Sequence, residues 1–128
     1  VYQATVEEMH TDYVMPQENG HREQVRWLSV GDQTNSLLVV SEKPIGINVH
    51  DYTIEALEKA THTDEIEKAG LTVIQLDAKH SGLGSNSCGQ EQTYRHKAGI
   101  NDFTMNLCFR VATNDTIIEN SKKLTNFN

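Results

Sequence analysis

The chain has 128 residues, a formal charge of −7, 37% hydrophobic and 23% charged residues, which fits one globular domain with a modest core. That acidic balance, with Lys122-Lys123 as the only adjacent basic pair, excludes a phosphate-tracking surface, because nucleic-acid contacts need clustered Lys and Arg. No apolar run approaches the roughly 20 residues that cross a bilayer, so no membrane partner is expected.

The start Val1-Tyr2-Gln3-Ala4 lacks the basic and apolar stretches of a secretory leader. Two cysteines, Cys88 and Cys108, do not make a disulfide framework. Free thiols and a cytoplasmic location are the expectation. Met15-Pro16-Gln17-Glu18-Asn19-Gly20 predicts a structured turn, since Pro restricts one backbone angle and Asn-Gly tolerates positive φ. Residues 22–30 alternate imperfectly but are rich in β-branched and aromatic side chains, which favours a strand.

After a turn at 31–35, Ser36-Leu37-Leu38-Val39-Val40 reads as a short strand buried on both faces. Beyond Pro44, Ile45, Ile47 and Val49 alternate with Gly46, Asn48 and His50. Thr53 then caps a short helix over 54–61, with Glu55 in its first turn and Ile54, Leu57 and Ala60 as a narrow apolar stripe. It is expected to be the one substantial helix. Residues 71–78 form a further strand, followed by a glycine- and serine-rich loop over 81–89. Phe103, Met105, Leu107, Phe109 and Val111 alternate with more polar neighbours, so one face of this strand is fully apolar. From Ala112 the chain is polar, and residues 112–128 read as a loosely docked tail after a domain at 1–111. Asn114-Asp115-Thr116 fits a glycosylation triplet, a pattern that arises often by chance. Many strands with one short helix indicate an all-β sandwich.

Local motifs for chemistry are missing. Hydrolysis of a glycosidic bond needs two opposed carboxyl groups, and none of the eighteen acidic residues stands in a marking motif. Glu18 is expected to serve the geometry of its turn. Six histidines and two cysteines show no metal-ligand spacing, so no metal site is expected. His50 reads as a half-buried structural histidine, Trp27 as a core residue, and Cys88 as an unreactive loop thiol. Gly82-Leu83-Gly84 lacks the third glycine of a dinucleotide fingerprint.

Three segments carry a resemblance. Asp12-Tyr13-Val14-Met15-Pro16-Gln17-Glu18-Asn19-Gly20-His21-Arg22, continuing to Val25-Arg26-Trp27-Leu28, resembles the Tyr-Val-x-Pro-x-Glu-Asn-Gly-x-Arg signature of the C-terminal domain of bacterial β-galactosidases of glycoside hydrolase family 2. His50-Asp51-Tyr52-Thr53, with Glu55, Leu57, Lys59, Ala60, Thr61 and His62, is similar to a strand-to-helix segment of that domain. Gly82-Leu83-Gly84-Ser85-Asn86-Ser87-Cys88-Gly89 resembles its glycine loop, in the branch that ends Ser-Cys-Gly rather than Ser-Trp.

The resemblance implies a section of a galactose-mutarotase-like β-sandwich, carried in some members on a small subunit paired with a large catalytic one. It implies that the catalytic glutamates and the magnesium lie in a separate barrel domain, so no catalytic residue and no cofactor is assigned to this chain. Asn86, Ser87 and Cys88 are its candidate substrate-binding residues, at the mouth of the active site. Where related loops offer a Trp for the leaving sugar of lactose to stack on, Cys88 has no ring face. The expected partners are the catalytic domain or large subunit, with sugar at the interface. As only the C-terminal section of the domain, the isolated chain is expected to self-associate. Two rivals are a mutarotase-like isomerase, using His50 and Glu18, and a carbohydrate-binding module with Trp27 or Tyr94 as platform.

Overall fold

The computed structural model describes residues 1–82, 89–99 and 102–124. It is built on one four-stranded antiparallel sheet. Three helices, α1 (Val6–Met9), α2 (Ile54–Lys59) and α3 (Ile117–Leu124), accompany strands β1 (Arg22–Gly31), β2 (Asn35–His50), β3 (Val73–Asp77) and β4 (Leu107–Thr113). This sheet-rich fold is consistent with the sandwich class expected above.

The spine is β2, 16 residues long. The sequence reads as two strands separated at Pro44, yet the backbone runs straight through. The reason lies in the pairing. β1 lines one edge of β2 from Gly31↔Ser36 to Arg22↔Ile47. The other edge is divided: β4 pairs with residues 35–41 and β3 with residues 46–50. Pro44 falls in the gap, where no ladder bond is required of its missing N–H. β1 accommodates the same stretch with register shifts around Val25, and Gln24 takes φ +60° beside one of them.

Side chains of directly paired residues share a face. One face carries Leu28, Val39 and Phe109 in one row and Val30, Leu37 and Val111 in the next. Its core is Leu28, Val39, Ile45, Ile47 and Val49, with Val6 and Met9 of α1 packed on it. The opposite face holds Leu38, Val40 and Ala112, covered by Ile117 and Leu124 of α3.

That second cluster corrects the reading of a loose polar tail after Ala112. Ala112 and Thr113 complete β4, and α3 follows. Ile117, Ser121 and Leu124 recur at helical spacing, and the apolar surface of Ile117 and Leu124, with small Ser121 between them, is enough to dock a short helix whose other positions are polar apart from the exposed Ile118. Asn114 locks the approach: its Oδ1 accepts from Ser36 Oγ at 2.7 Å and its Nδ2 donates to the Asp32 carbonyl at 2.8 Å. α2 is therefore neither the only helix nor the longest. It starts as expected, with Thr53 Oγ1 accepting from Ala56 N–H at 3.2 Å, a cap worth about 1 kcal/mol. Leu57 and Ala60 are buried, but Ile54 is exposed.

β4 begins at Leu107, so residues 103–106 lie outside it. Its apolar side packs on the core at Leu107 and is open beyond it: Phe109 is 56% and Val111 75% exposed, and Phe103 lies exposed just upstream. Cys108, on the covered face, is a free thiol.

Candidate functional site

The turn at 16–20 is held by Asn19, which is 2% exposed. Its Oδ1 accepts from Thr11 N–H at 2.9 Å, and its Nδ2 donates to the Gln17 carbonyl at 3.0 Å and to Tyr52 Oη at 3.2 Å. Its carbonyl accepts from Asn48 Nδ2 at 2.8 Å and faces His50 Nε2 at 3.0 Å. Gly20 follows with φ +75°, and a Cβ there would meet the Met9 carbonyl at 2.5 Å. Only glycine fits both the angle and the contact.

This network settles the histidine protonation by elimination. His50 Nε2 must carry hydrogen to meet the Asn19 carbonyl, leaving Nδ1 as a bare acceptor that is buried without a hydrogen-bond partner. Burial pulls the His50 pKa below its ordinary value, the nearby His10 adds to this, and the Asn19 carbonyl, Asp51 and Glu18 oppose it. The ring stacks on Tyr52 with centroids 4.5 Å apart. Tyr52 Oη lies 2.9 Å from His10 Nδ1, and burial raises its own pKa.

A cavity of about 350 Å³ opens beside this network, walled by Glu18, Asn48, His50, Tyr52, Leu57 and Ile74 among others. His50 and Glu18, unpaired in sequence, thus share one wall. Glu55 also lines it, but its carboxylate is engaged at the helix start, where backbone and Thr53 hydrogen bonds lower its pKa.

Glu18 departs from its expected role. Asn19 holds the turn, while Glu18 Oε1 is buried without a hydrogen-bond partner, 3.4 Å from His80 Nε2. His21 stacks on His80, with centroids 4.3 Å apart and planes at 29°. Glu18, His21 and His80 each offer one ligand atom, and these lie within 4.8 Å of one another. No metal-ligand spacing stands in the sequence, and this grouping is brought together by the fold. Glu18 and His21 sit in and just after the turn, whereas His80 follows β3, which pairing with β2 brings alongside. No local spacing could reveal it.

Asn86, Ser87 and Cys88 lie outside the described residues. The N-terminal flank of their loop is tied down: Gly82 N–H donates to His80 Nδ1 at 2.8 Å, and Ala98 N–H donates to Ser81 Oγ at 2.8 Å. Trp27 is half-buried against the α3-covered cluster, as its strand position suggests, whereas Tyr94 is exposed. Among the described residues no helix is long and apolar enough to cross a membrane.

The turn, the strand-to-helix cap and the β3 exit all fall within residues 1–109, which match the family description "Beta galactosidase small chain". The chain belongs to the β-galactosidase small-chain family. Among curated relatives, the β-galactosidase of Actinobacillus pleuropneumoniae is 38% identical over 70% of this chain and 8% of its own length. That of Staphylococcus xylosus is 31% identical over 76% of this chain and 10% of its own. That of Kluyveromyces lactis is 31% identical over 81% of this chain and 10% of its own. The chain thus spans about a tenth or less of the length of these relatives.

Proposed function

We propose that this chain is a non-catalytic β-sandwich part of a cytoplasmic β-galactosidase of glycoside hydrolase family 2 that hydrolyses terminal β-galactosides such as lactose. In this reading it packs on the catalytic domain or large subunit, which supplies the reactive carboxylates and the magnesium. The loop containing Asn86, Ser87 and Cys88 borders the mouth of that active site.

The observation that carries the reading is the open side of the sheet. α3 covers one face of β4, whereas Phe109 and Val111 on the other face are 56% and 75% exposed. Phe109 and Val111 extend the buried row of Leu28 and Val39 onto β4, which among the described strands pairs with β2 alone; such an exposed apolar margin is a packing surface, and a second sheet from the rest of the enzyme would complete a sandwich.

The test is complementation. Mixed with a β-galactosidase that lacks this segment, the chain restores lactose hydrolysis, and alone it gives none. Phe109→Lys with Val111→Lys abolishes restoration while circular dichroism of the chain stays unchanged. Activity from the purified chain alone overturns the reading. Light scattering adds a second check, since the same open row predicts self-association of the isolated chain, lost in the double variant.

One observation favours a second reading, a mutarotase-like isomerase: His50 and Glu18 line the same cavity. With its Nε2 hydrogen on the Asn19 carbonyl and its pKa lowered, His50 can accept a proton at Nδ1 but holds none to donate there. A mutarotation rate above buffer, lost in His50→Gln, would support that reading.

A further inference from the structure

We propose that Glu18, His21 and His80 form a binding site for a divalent transition-metal ion of the zinc class, independent of the role in β-galactosidase assembly. Three donors of this kind, two imidazoles and a carboxylate, suit zinc and its neighbours, whereas calcium and magnesium prefer all-oxygen sites. Their ligand atoms already lie within 4.8 Å of one another. Closure onto an ion asks for small side-chain movements rather than a change of fold.

Two further observations point at a ligand. The His21 side chain is only 5% exposed, yet its Nδ1 has no hydrogen-bond partner. Glu18 Oε1 is likewise an enclosed atom without a hydrogen bond, although the side chain as a whole is 38% exposed and His80 Nε2 faces that oxygen at 3.4 Å. Buried polar atoms are satisfied in the great majority of cases, so two such atoms in one cluster ask for a shared partner. A cation answers both, because a lone pair and a carboxylate oxygen are acceptors and cannot satisfy each other.

The surroundings are those of a metal site. His21 Nε2 lies 3.0 Å from Glu23 Oε1, which can only accept, so Nε2 carries hydrogen and the neutral ring presents its lone pair at Nδ1. Carboxylates that orient a ligating histidine in this way are a recurrent second layer. Asp77 Oδ2, 3.7 Å from the same Nδ1, adds negative charge. His21 is pressed against Gly46, where a Cβ would come within 2.7 Å of its ring. The glycine therefore makes room for the imidazole over the sheet.

His80 is the member that must change. Its Nδ1 accepts from Gly82 N–H at 2.8 Å, so without metal its hydrogen sits on Nε2, toward Glu18. On binding, Nε2 exchanges that hydrogen for the ion and Nδ1 takes one up. The ring gains and loses one proton, and the Gly82 hydrogen bond is released. Metal binding thus couples to the first residues of the loop proposed to border the active site.

Zinc titration of the full chain by calorimetry, with Co²⁺ absorption as the coordination signature, tests this. The expected result is one ion per chain, a raised Tm, and a shift of the Gly82 amide resonance. His80→Ala and Glu18→Gln each weaken binding by about tenfold or more, and Glu23→Gln by about 10- to 100-fold through the orientation of His21. His62→Ala, at an exposed histidine that faces Glu65 and is not one of the three ligands, leaves it unchanged. His21→Ala removes binding, and the other variants stand in for it if burial of His21 makes that one misfold. Absence of zinc and cobalt binding at tens of micromolar by the folded chain overturns the proposal. So does binding that persists undiminished in His80→Ala and Glu18→Gln together.

Discussion

The two halves of β2 share one partner strand and differ in almost everything else. Residues 35–41 lie between β1 and β4 and are apolar on both faces, with α3 covering one face and the row of Phe109 and Val111 open on the other. Residues 45–50 lie between β1 and β3 and carry the buried polar pair Asn48 and His50, tied to the turn through the Asn19 carbonyl. The contrast follows from the forces involved. Hydrophobic burial is non-directional, so a face begun by one segment can be finished by any apolar partner. Buried polar groups need partners at set distances, so the polar end must be completed by residues built into the same local structure.

The comparison can be broken most forcefully at the apolar end. Leu38 is fully buried between the sheet and α3, and Leu38→Ala is expected to cost about 3 kcal/mol in urea unfolding. A loss below about 1 kcal/mol would mean that α3 is not docked there. At the polar end, Asn19→Ala removes three side-chain hydrogen bonds but keeps the carbonyl that holds Asn48 and His50. The expected cost is about 2 kcal/mol, read in the same way. A cost equal to that of Leu38→Ala would erase the distinction between the two ends.

A smaller effect sharpens the distinction through pH. His50 is kept neutral in the fold, with its pKa below the ordinary 6.5 chiefly because it is buried. The unfolded chain takes up a proton there at a higher pH than the folded one does. The contribution is therefore fully present above about pH 6.5 and is lost as pH falls toward the lowered folded value. Urea midpoints at pH 7.5, 6.5 and 5.5 should decline toward acid in the wild type and decline less in His50→Gln. Equal slopes in the two proteins would remove His50 as the cause.

Much of the architecture was readable beforehand. The strand over 22–30, the buried run at 36–40, the alternation at 45–49 and the Thr53 cap each rest on a signal carried by a few neighbouring residues. α1 had such a signal too, the Thr5-Val6-Glu7-Glu8 capping box, whose two reciprocal bonds form at 2.7 and 3.1 Å. α3 was harder to see, because three helically spaced residues among mostly polar ones reveal a helix only once a sheet face is there to receive them. The site was legible only in part. The turn at 16–20 and the cap at Thr53 stand out, but Asn19 as the hub and His80 as the neighbour of Glu18 do not.

Strand propensity, the turn with its obligatory Gly20, the caps and the family signature are properties of short stretches, and the amino-acid sequence settled them alone. Local chain stiffness and hydrogen-bond geometry act over a few residues, so they leave a mark in the order of those residues. The continuity of β2 through Pro44, the docking of α3, the open apolar row and the meeting of Glu18, His21 and His80 were decided by tertiary structure. Each depends on which strand lies beside which, and that choice is made by burial summed over the whole sheet.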